Sequence, residues 1–287
     1  MYGVVILNYN SYNLTARLVL KLLEFKNIKK IVIVDNNSED DFTNFVLKNN
    51  KDNKIKYFKL KTNGGYAAGN NVGLQYLHDE GLKIGFIANP DVYISEDTVD
   101  KIYKFLIKNQ NYGVASCKRT IGKSGVTGQY WDLPTFKDCL LESIYSGRKN
   151  QDSKYKGYFE RVWNDKTSEY YNVEVVGGAF FGCNLNILDK IGYLNERTFL
   201  WYEENILGYN LRKNGYKEAL LLNCSYIHNH IRKRRGTNKH NIYLASKKVY
   251  CYDCLQISEW QKILLNFFDV WGLIESKFIY IITSLLK

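Results

Sequence analysis

Residues 84–92 have the sequence Ile-Gly-Phe-Ile-Ala-Asn-Pro-Asp-Val, an apolar run that ends in Asn89-Pro90-Asp91. Such a run is typical of a buried strand. Pro90 cannot donate to a sheet ladder and favours an extended residue before it, so we expect the strand to end near Asn89. Asp91 then lies at the carboxyl end of the strand, where open α/β sheets bind ligands. A carboxylate there could hold a metal ion, and an ordinary turn after a strand is the alternative.

Strand-like and helix-like patterns alternate on both sides of this stretch. Apolar runs within 4–7, 31–34 and 114–117 and an alternating pattern over 55–60 indicate further strands, and amphipathic stretches between them indicate helices. This alternation over residues 3–118 predicts an α/β fold with a mostly parallel central sheet flanked by helices.

Small residues dominate the stretch 63–73, Asn-Gly-Gly-Tyr-Ala-Ala-Gly-Asn-Asn-Val-Gly. Small side chains let a backbone approach a ligand, and the start of a helix attracts phosphate. The stretch is not a P-loop, because no Gly-Lys-Ser/Thr follows. The alternative is close packing of a helix on the sheet.

The second half of the chain contains a long irregular stretch and, after it, a pair of adjacent glutamates. Residues 120–172 lack a regular pattern and contain Trp131 and Trp163, so we expect loops over the site that touch a second substrate. An aromatic run then ends in Glu203-Glu204, at the start of a helix that we expect to end at Gly215. Adjacent carboxylates at this place suit acid–base chemistry. Capping of the helix by acidic side chains is the alternative.

The net charge of +11 suits nucleic acid, an anionic membrane face or a substrate that carries phosphate. We expect no nucleic acid, because no recognised module combines the basic and aromatic residues. Met1-Tyr2-Gly3 leads directly into a strand-like run without a signal peptide. We therefore expect a cytoplasmic chain.

The last part of the chain, residues 232–287, combines a basic segment with an amphipathic helical pattern. Such a tail suits peripheral contact with the inner face of the cell membrane. Packing on the catalytic domain, or on another subunit of a homodimer, is the alternative.

Taken together, the motifs resemble those of the inverting nucleotide-sugar glycosyltransferases of family 2, which have the GT-A fold. The rhamnosyltransferase-like branch that builds bacterial surface polysaccharides is the most similar. The likeness covers residues 3–230 and depends on five motifs in a fixed order: 5–10, 34–38, 63–71, 89–91 and 202–216. The resemblance implies a GT-A domain over 1–230, with a nucleotide-binding half (1–118) and an acceptor and catalytic half (119–230). Residues 231–287 form the basic and helical tail.

The resemblance also implies roles for single residues. Glu204 matches the catalytic base and Glu203 is its neighbour, while Asp91 and His228 match residues that hold Mg²⁺ or Mn²⁺ on the donor diphosphate. Contacts to the nucleotide-sugar donor are implied for Asn8, Tyr9, Asn10, Asp35, Asn37, Asn63, Gly65, Tyr66, Ala68, Gly69, Asn70, Asn89 and Asp91.

The implied reaction transfers a sugar from dTDP-rhamnose or a UDP-hexose to a saccharide acceptor, free or linked to a lipid, in the synthesis of capsule, O-antigen or cell-wall polysaccharide. Two positions depart from the family pattern. Asn89 and Ile206 stand where many relatives carry acids. A scaffold that binds nucleotide sugar without turnover, and a basic protein that binds nucleic acid, are therefore the alternatives.

Overall fold

The fold is described from a computed structural model of the chain. It covers residues 1–39, 41–120, 130–144, 147, 165, 167–229 and 237–285.

The first part of the chain forms one parallel side of a central sheet. Its strands lie in the order β3-β2-β1-β4 and all pair in parallel. The strands are β1 (Tyr2–Asn8), β2 (Ile28–Asp35), β3 (Ile55–Lys59) and β4 (Ile84–Ala88). The helices are α1 (Tyr12–Leu23), α2 (Thr43–Asn49), α3 (Gly65–Asp79) and α4 (Glu96–Lys108). All five residues of β4 are buried, as the apolar run predicted.

The second part of the chain extends the same sheet in the order β4-β10-β6-β11-β5. Its strands are β5 (Val92–Tyr93), β6 (Tyr112–Thr120), β10 (Phe180–Asn184) and β11 (Lys217–His228), and β8 (Tyr170–Val173) also pairs with β11. Strands β7 (Tyr130–Trp131) and β9 (Val175–Val176) form a separate two-stranded sheet. Strand β10 is antiparallel to both of its neighbours, β4 and β6. The α/β fold is confirmed, and the parallel arrangement holds for the first side, while β10 makes the complete sheet mixed.

Short helices connect the strands of the second part. They are α5 (Phe136–Leu141), α6 (Leu185–Ile191) and α7 (Glu203–Lys213). Helix α7 ends just before Gly215, whose φ of +79° is the left-handed conformation that glycine favours. Both ends of this predicted helix are therefore confirmed.

The tail forms helix α8 (Thr237–Val249), a π-helical turn (Tyr250–Cys254) and one long helix, α9 (Glu259–Leu285). A buried ion pair joins these helices, with Lys247 Nζ 2.5 Å from Asp269 Oδ1 and 2.6 Å from Ser143 Oγ, which follows α5. One face of α9 thus packs on the rest of the protein, as the packing alternative predicted. None of the described helices has the length and apolar character that crossing a membrane requires.

Candidate active site

The turn after β4 lies beside the end of β11, although Asp91 and His228 are 137 residues apart in the sequence. Strand β5 pairs with β11 so that Val92 lies opposite His228. This pairing places His228 Nε2 3.1 Å from Asp91 Oδ1. The sequence assigned these two residues to one metal site, and the topology of the sheet brings their side chains together.

Arg119, near the end of β6, is a member of this group that sequence reasoning missed. Its Nη1 lies 3.4 Å from His228 Nδ1. The guanidinium of Arg119 and the carboxylate of Asp91 therefore lie on either side of one imidazole ring. A charged residue at the carboxyl end of a strand beside β11 was the available signal.

Asp35, at the end of β2, lies inside the protein rather than on its surface. Its Oδ1 accepts a hydrogen bond from the backbone N–H of Ser38 (2.7 Å), and its Oδ2 accepts one from Asn8 Nδ2 (2.9 Å). Asn8 also donates to Ser38 Oγ and accepts from Thr15. The fully buried carboxylate therefore shapes the loop after β2, and its predicted contact with a nucleotide stays a prediction.

The exposed residues around this network are better placed to meet a ligand. The side chain of Tyr9 is half exposed, and Asn10 and Asn37 are exposed. Both asparagines have positive φ angles, of 48° and 63°, a conformation in which asparagine is enriched.

The small-residue stretch brings the two halves of the domain together. Gly65 has a φ of +94°, and a Cβ added there would lie 2.3 Å from the carbonyl oxygen of Phe199. The same carbonyl accepts a hydrogen bond of 2.8 Å from the backbone N–H of Tyr66. Asn36 ties the loop down from the other side, through bonds to Asn63 and to the carbonyl of Gly65. The start of α3 therefore lies directly against the segment that leads into α7.

Other small residues in this stretch are explained by packing. A Cβ at Gly69 would lie 2.2 Å from Leu7, and one at Gly73 would lie 2.4 Å from Val5, both on β1. Gly69 and Asn70 are buried, although we predicted that both contact the donor. The packing alternative accounts for Gly69, because only a residue without a side chain lets α3 come this close to the sheet.

Glu203 and Glu204 open helix α7 after a strained turn. Trp201 and Tyr202 have φ angles of 73° and 70°, which are uncommon for large side chains and cluster at functional sites. Glu204 Oε1 accepts a hydrogen bond of 3.1 Å from the backbone N–H of Gly178. Glu203 is 1% exposed, and its Oε1 has no hydrogen-bond partner in the part of the chain that the structure describes. Capping of the helix therefore does not satisfy this oxygen of Glu203.

Burial changes the acidity of both carboxyls. Burial, together with the neighbouring charge of Glu204, raises the pKa of Glu203 to about 8. Burial also raises the pKa of Glu204 above its ordinary value. A carboxylate whose pKa lies closer to neutral pH is a more effective general base.

Two tyrosines connect Glu204 with the other parts of the site. Tyr66 donates its hydroxyl hydrogen bond to the carbonyl of Gly178, the residue that binds Glu204. Burial, and then the charges of Glu204 and Glu203, raise the pKa of Tyr66. Burial raises the pKa of Tyr226 as well, and the negative charges of Asp91 and Glu204 both add to this shift. Asp91 and Glu204 therefore both lie within electrostatic reach of one buried phenol.

The two departures from the family pattern have different surroundings. Ile206 is buried among the apolar residues around Tyr202 and Tyr250, where a further carboxylate would lack water. The backbone N–H of Asn89 binds the carbonyl of Ala179 on the segment before β10. The assignment of the catalytic base to Glu204 stays a prediction.

Only part of the predicted acceptor region can be compared with the structure. Trp131 donates a hydrogen bond to Asn205, so this part of the region contacts helix α7. Trp163 lies outside the described residues. The domain boundaries at 118 and 230 stay predictions, and one continuous sheet runs across the first of them.

Three solved structures have a similar fold. The structure of GalNAc-T7 with UDP, GalNAc and Mn²⁺ matches with a TM-score of 0.62 and 13% identity, over 88% of this chain and 50% of that chain, so this chain spans half of its length. Staphylococcus aureus TarS 1–349 with UDP-GlcNAc matches with a TM-score of 0.58 and 15% identity, over 93% of this chain and 71% of that one. The mannosyltransferase PcManGT of Pyrobaculum calidifontis, with GDP-Man and Mn²⁺, matches with a TM-score of 0.57 and 13% identity, over 96% and 72%.

A curated relative and a family model agree with this fold. The low-salt glycan biosynthesis hexosyltransferase Agl10 of Haloferax volcanii is 24% identical over 97% of this chain and 87% of its own length. It is a hexosyltransferase, so the likeness to the rhamnosyltransferase-like branch stays a prediction. The model of glycosyl transferase family 2 matches residues 3–176, more than half of the chain. The chain therefore belongs to glycosyl transferase family 2 and is a glycosyltransferase.

Proposed function

We propose that this glycosyltransferase moves a hexosyl or rhamnosyl group from a nucleoside-diphosphate sugar to a saccharide acceptor, with inversion at the anomeric carbon. The observation that carries the proposal is the pairing of Asp91 with His228, in electrostatic reach of the same tyrosine as Glu204. One group of residues can then neutralise a leaving diphosphate while another accepts a proton, which is what glycosyl transfer requires.

A divalent cation fits the residues present. One carboxylate and one imidazole come together, and no group of three or more His, Cys, Asp or Glu side chains that could hold a metal occurs in the described part of the chain. Mg²⁺ and Mn²⁺ commonly bind through one or two protein ligands and the phosphates of the substrate. The imidazole favours Mn²⁺ over Mg²⁺ at this place. A bound cation would supply positive charge to the departing diphosphate.

In the proposed mechanism, Asp91 and His228 would hold the cation against the donor diphosphate, and Arg119 lies beside the imidazole and restricts its orientation. Glu204 accepts the proton of the acceptor hydroxyl as the hydroxyl attacks the anomeric carbon. The hydrogen bond from Gly178 holds the carboxylate in place, and the burial that raises its pKa makes it a stronger base. Attack from the face opposite the leaving group inverts the anomeric centre, by the stereochemical reasoning that applies to glycosidases.

Two groups of compounds are candidates for the sugar donor. The resemblance favours dTDP-rhamnose or a UDP-hexose. The relatives are named for hexosyl transfer and for complexes with UDP, UDP-GlcNAc and GDP-Man. We favour a hexose donor, because the relative that covers most of both chains is a hexosyltransferase.

The test is a thermal-shift screen of nucleoside diphosphates and nucleotide sugars with and without Mn²⁺, followed by assays of diphosphate release. Ligands that bind the folded state raise its stability. We expect stabilisation by one nucleotide class that requires the metal and is lost in Asp91→Asn and His228→Gln. The matched control is Asp52→Asn, which changes an exposed aspartate outside the site.

Two results would contradict the proposal. If no nucleotide stabilises the wild-type protein, Asp91 and His228 do not form a donor site. If a nucleotide sugar binds but no diphosphate is released with a range of saccharide acceptors, the scaffold alternative is correct.

A further inference from the structure

The long helix α9 carries a row of large apolar side chains that face away from the protein. Seven side chains, each between 51% and 71% exposed, form this outer row: Trp260, Ile263, Phe267, Val270, Trp271, Ile274 and Phe278. Their spacing of three or four residues keeps them on one face of the helix. The row extends for about 27 Å, at about 1.5 Å per residue.

The opposite face of α9 is fixed to the protein. Leu265 and Asp269 are buried, and a Cβ at Gly272 would lie 1.8 Å from the carbonyl oxygen of Ser143. The ion pair between Asp269 and Lys247 adds a polar anchor on the same face. With about 100° of rotation per residue, this face lies opposite the outer row. Rotation of the helix therefore cannot bury the outer row without breaking these contacts.

The outer row is large for the surface of a monomer. Four aromatic and three aliphatic side chains, each more than half exposed, present on the order of 800 Å² of surface. The largest apolar patch of a typical monomer is roughly 300–600 Å², and larger patches mark interaction sites. A partner that covers this row is therefore expected.

The chemistry of the row favours a lipid surface as that partner. Two tryptophans and two phenylalanines along one helix face suit the boundary between headgroups and acyl chains. The net charge of +11 attracts an anionic surface and makes two copies of the chain repel each other.

We propose that the outer row of α9 docks this protein on the surface of an anionic lipid bilayer, with the helix parallel to the membrane plane. The helix lies on the bilayer rather than across it, since none of the described helices is suited to span a membrane. The apolar side chains enter the region between headgroups and acyl chains, and the positive charge of the protein adds long-range attraction.

The experiment is co-sedimentation of the full chain with vesicles of phosphatidylcholine that contain about 30% phosphatidylglycerol, and with vesicles of phosphatidylcholine alone. The test variant carries Trp260→Gln, Phe267→Gln and Trp271→Gln. The matched control carries Leu20→Gln, Leu47→Gln and Ile107→Gln, three exposed apolar residues outside α9 that are 47%, 77% and 40% exposed. All six positions are exposed, so both proteins are expected to fold, and circular dichroism checks this.

We expect the ratio of bound to free protein on anionic vesicles to fall by more than about tenfold in the test variant and to stay near the wild-type value in the control. Binding of the wild-type protein to neutral vesicles should be several-fold weaker. No vesicle binding by the wild type, or equal losses in both variants, would overturn the proposal.

A second copy of the chain is the competing occupant, and sedimentation equilibrium of the same three proteins detects it. A wild-type dimer that the test variant alone dissociates, without vesicle binding, would assign the outer row to an interface between copies. Neither readout uses sugar transfer, so a failure of the proposed activity cannot be mistaken for a failure of membrane docking.

Discussion

The loop after β2 and the start of α7 each bury a carboxylate, but they satisfy it differently. Asp35 accepts hydrogen bonds on both oxygens, from Ser38 and Asn8. Glu203 is equally inaccessible, yet one of its oxygens has no partner among the described residues. A partnered buried carboxylate stabilises a fold, whereas an unpartnered one costs stability and changes its acidity. This difference indicates a structural role for Asp35 in the loop after β2 and a chemical role for the carboxyls at the start of α7.

The largest expected effect is that of Glu204→Gln on turnover. The amide keeps an oxygen that can accept from Gly178, so the fold should be retained, but an amide cannot accept the acceptor proton. We expect kcat to fall by about 10²–10⁴-fold, the usual contribution of a general base. Release of nucleoside diphosphate measures the rate, and thermal shift measures donor binding, which should be unchanged.

Glu203→Gln is the comparison variant for this prediction, and we expect a smaller loss of kcat. A larger loss than in Glu204→Gln would assign the base to Glu203 and reverse the roles of the pair.

The contact between the start of α3 and the segment that leads into α7 can be broken at Gly65. An alanine there must hold a positive φ and place its Cβ against the carbonyl of Phe199. We expect Gly65→Ala to lower the free energy of unfolding by about 3 kcal/mol, from backbone strain together with the clash. Urea denaturation measures the change.

Gly81→Ala is the matched control, because Gly81 has a φ of +74° with open space around its Cβ position. It should lose only the strain contribution, about 1 kcal/mol. Equal losses in the two variants would show that the contact with Phe199 carries no extra energy.

The rigidity of the first region can be tested with Asp35→Asn. The amide group would turn an N–H donor towards the N–H of Ser38 or towards Asn8, so one hydrogen bond is lost and two donors face each other. We expect a loss of about 2 kcal/mol in the free energy of unfolding. Glu39→Gln, an exposed change in the same loop, should have almost no effect.

Glu203, at the start of α7, should make the free energy of unfolding depend on pH. Because the folded-state pKa of Glu203 is raised to about 8, the folded protein binds more protons than the unfolded chain between the ordinary glutamate value and pH 8. The stability contributed by the protonated group is present at low pH and is lost as the pH rises through this window. We expect a decrease of about 2 kcal/mol between pH 5 and pH 8.

Unfolding midpoints of wild type and Glu203→Gln across this range provide the measurement. The variant should have a flatter profile and be the more stable protein at pH 8. Parallel profiles would mean that Glu203 titrates at its ordinary value and that the two regions do not differ as described.

The sequence predicted the first strands of the sheet better than it predicted β10 and the turn before α7, for a physical reason. Strands β1, β2 and β4 are buried over most of their length, so each appears as an apolar run that one short window reveals. The antiparallel entry of β10 depends on long-range pairing, which local periodicity does not contain. Strain at Trp201 and Tyr202 was equally hidden, because large aromatic residues ordinarily avoid positive φ.

Residues of the candidate site could be predicted from the sequence where a residue type in that position has one common function. Asp91, after Asn-Pro, and the Glu203-Glu204 pair were found from the sequence, and the fold placed Asp91 beside His228. Arg119 escaped because a charge near a strand end is common, and only the register of β6 with β11 brings it to the imidazole. Gly69 was assigned to the donor although its neighbour is Leu7, since both roles select for glycine.

The buried pair of Lys247 and Asp269 also bears on how the protein is made. Lys247 is fully buried and depends on an acid 22 residues further along the chain. A nascent chain that has not yet reached Asp269 would have to bury an uncompensated ammonium group, which is strongly unfavourable. Strands β1 to β4 can form early during synthesis, whereas the packing of α5 and α8 must wait for α9. The order of translation therefore makes the synthesis of α9 the step that allows these helices to pack.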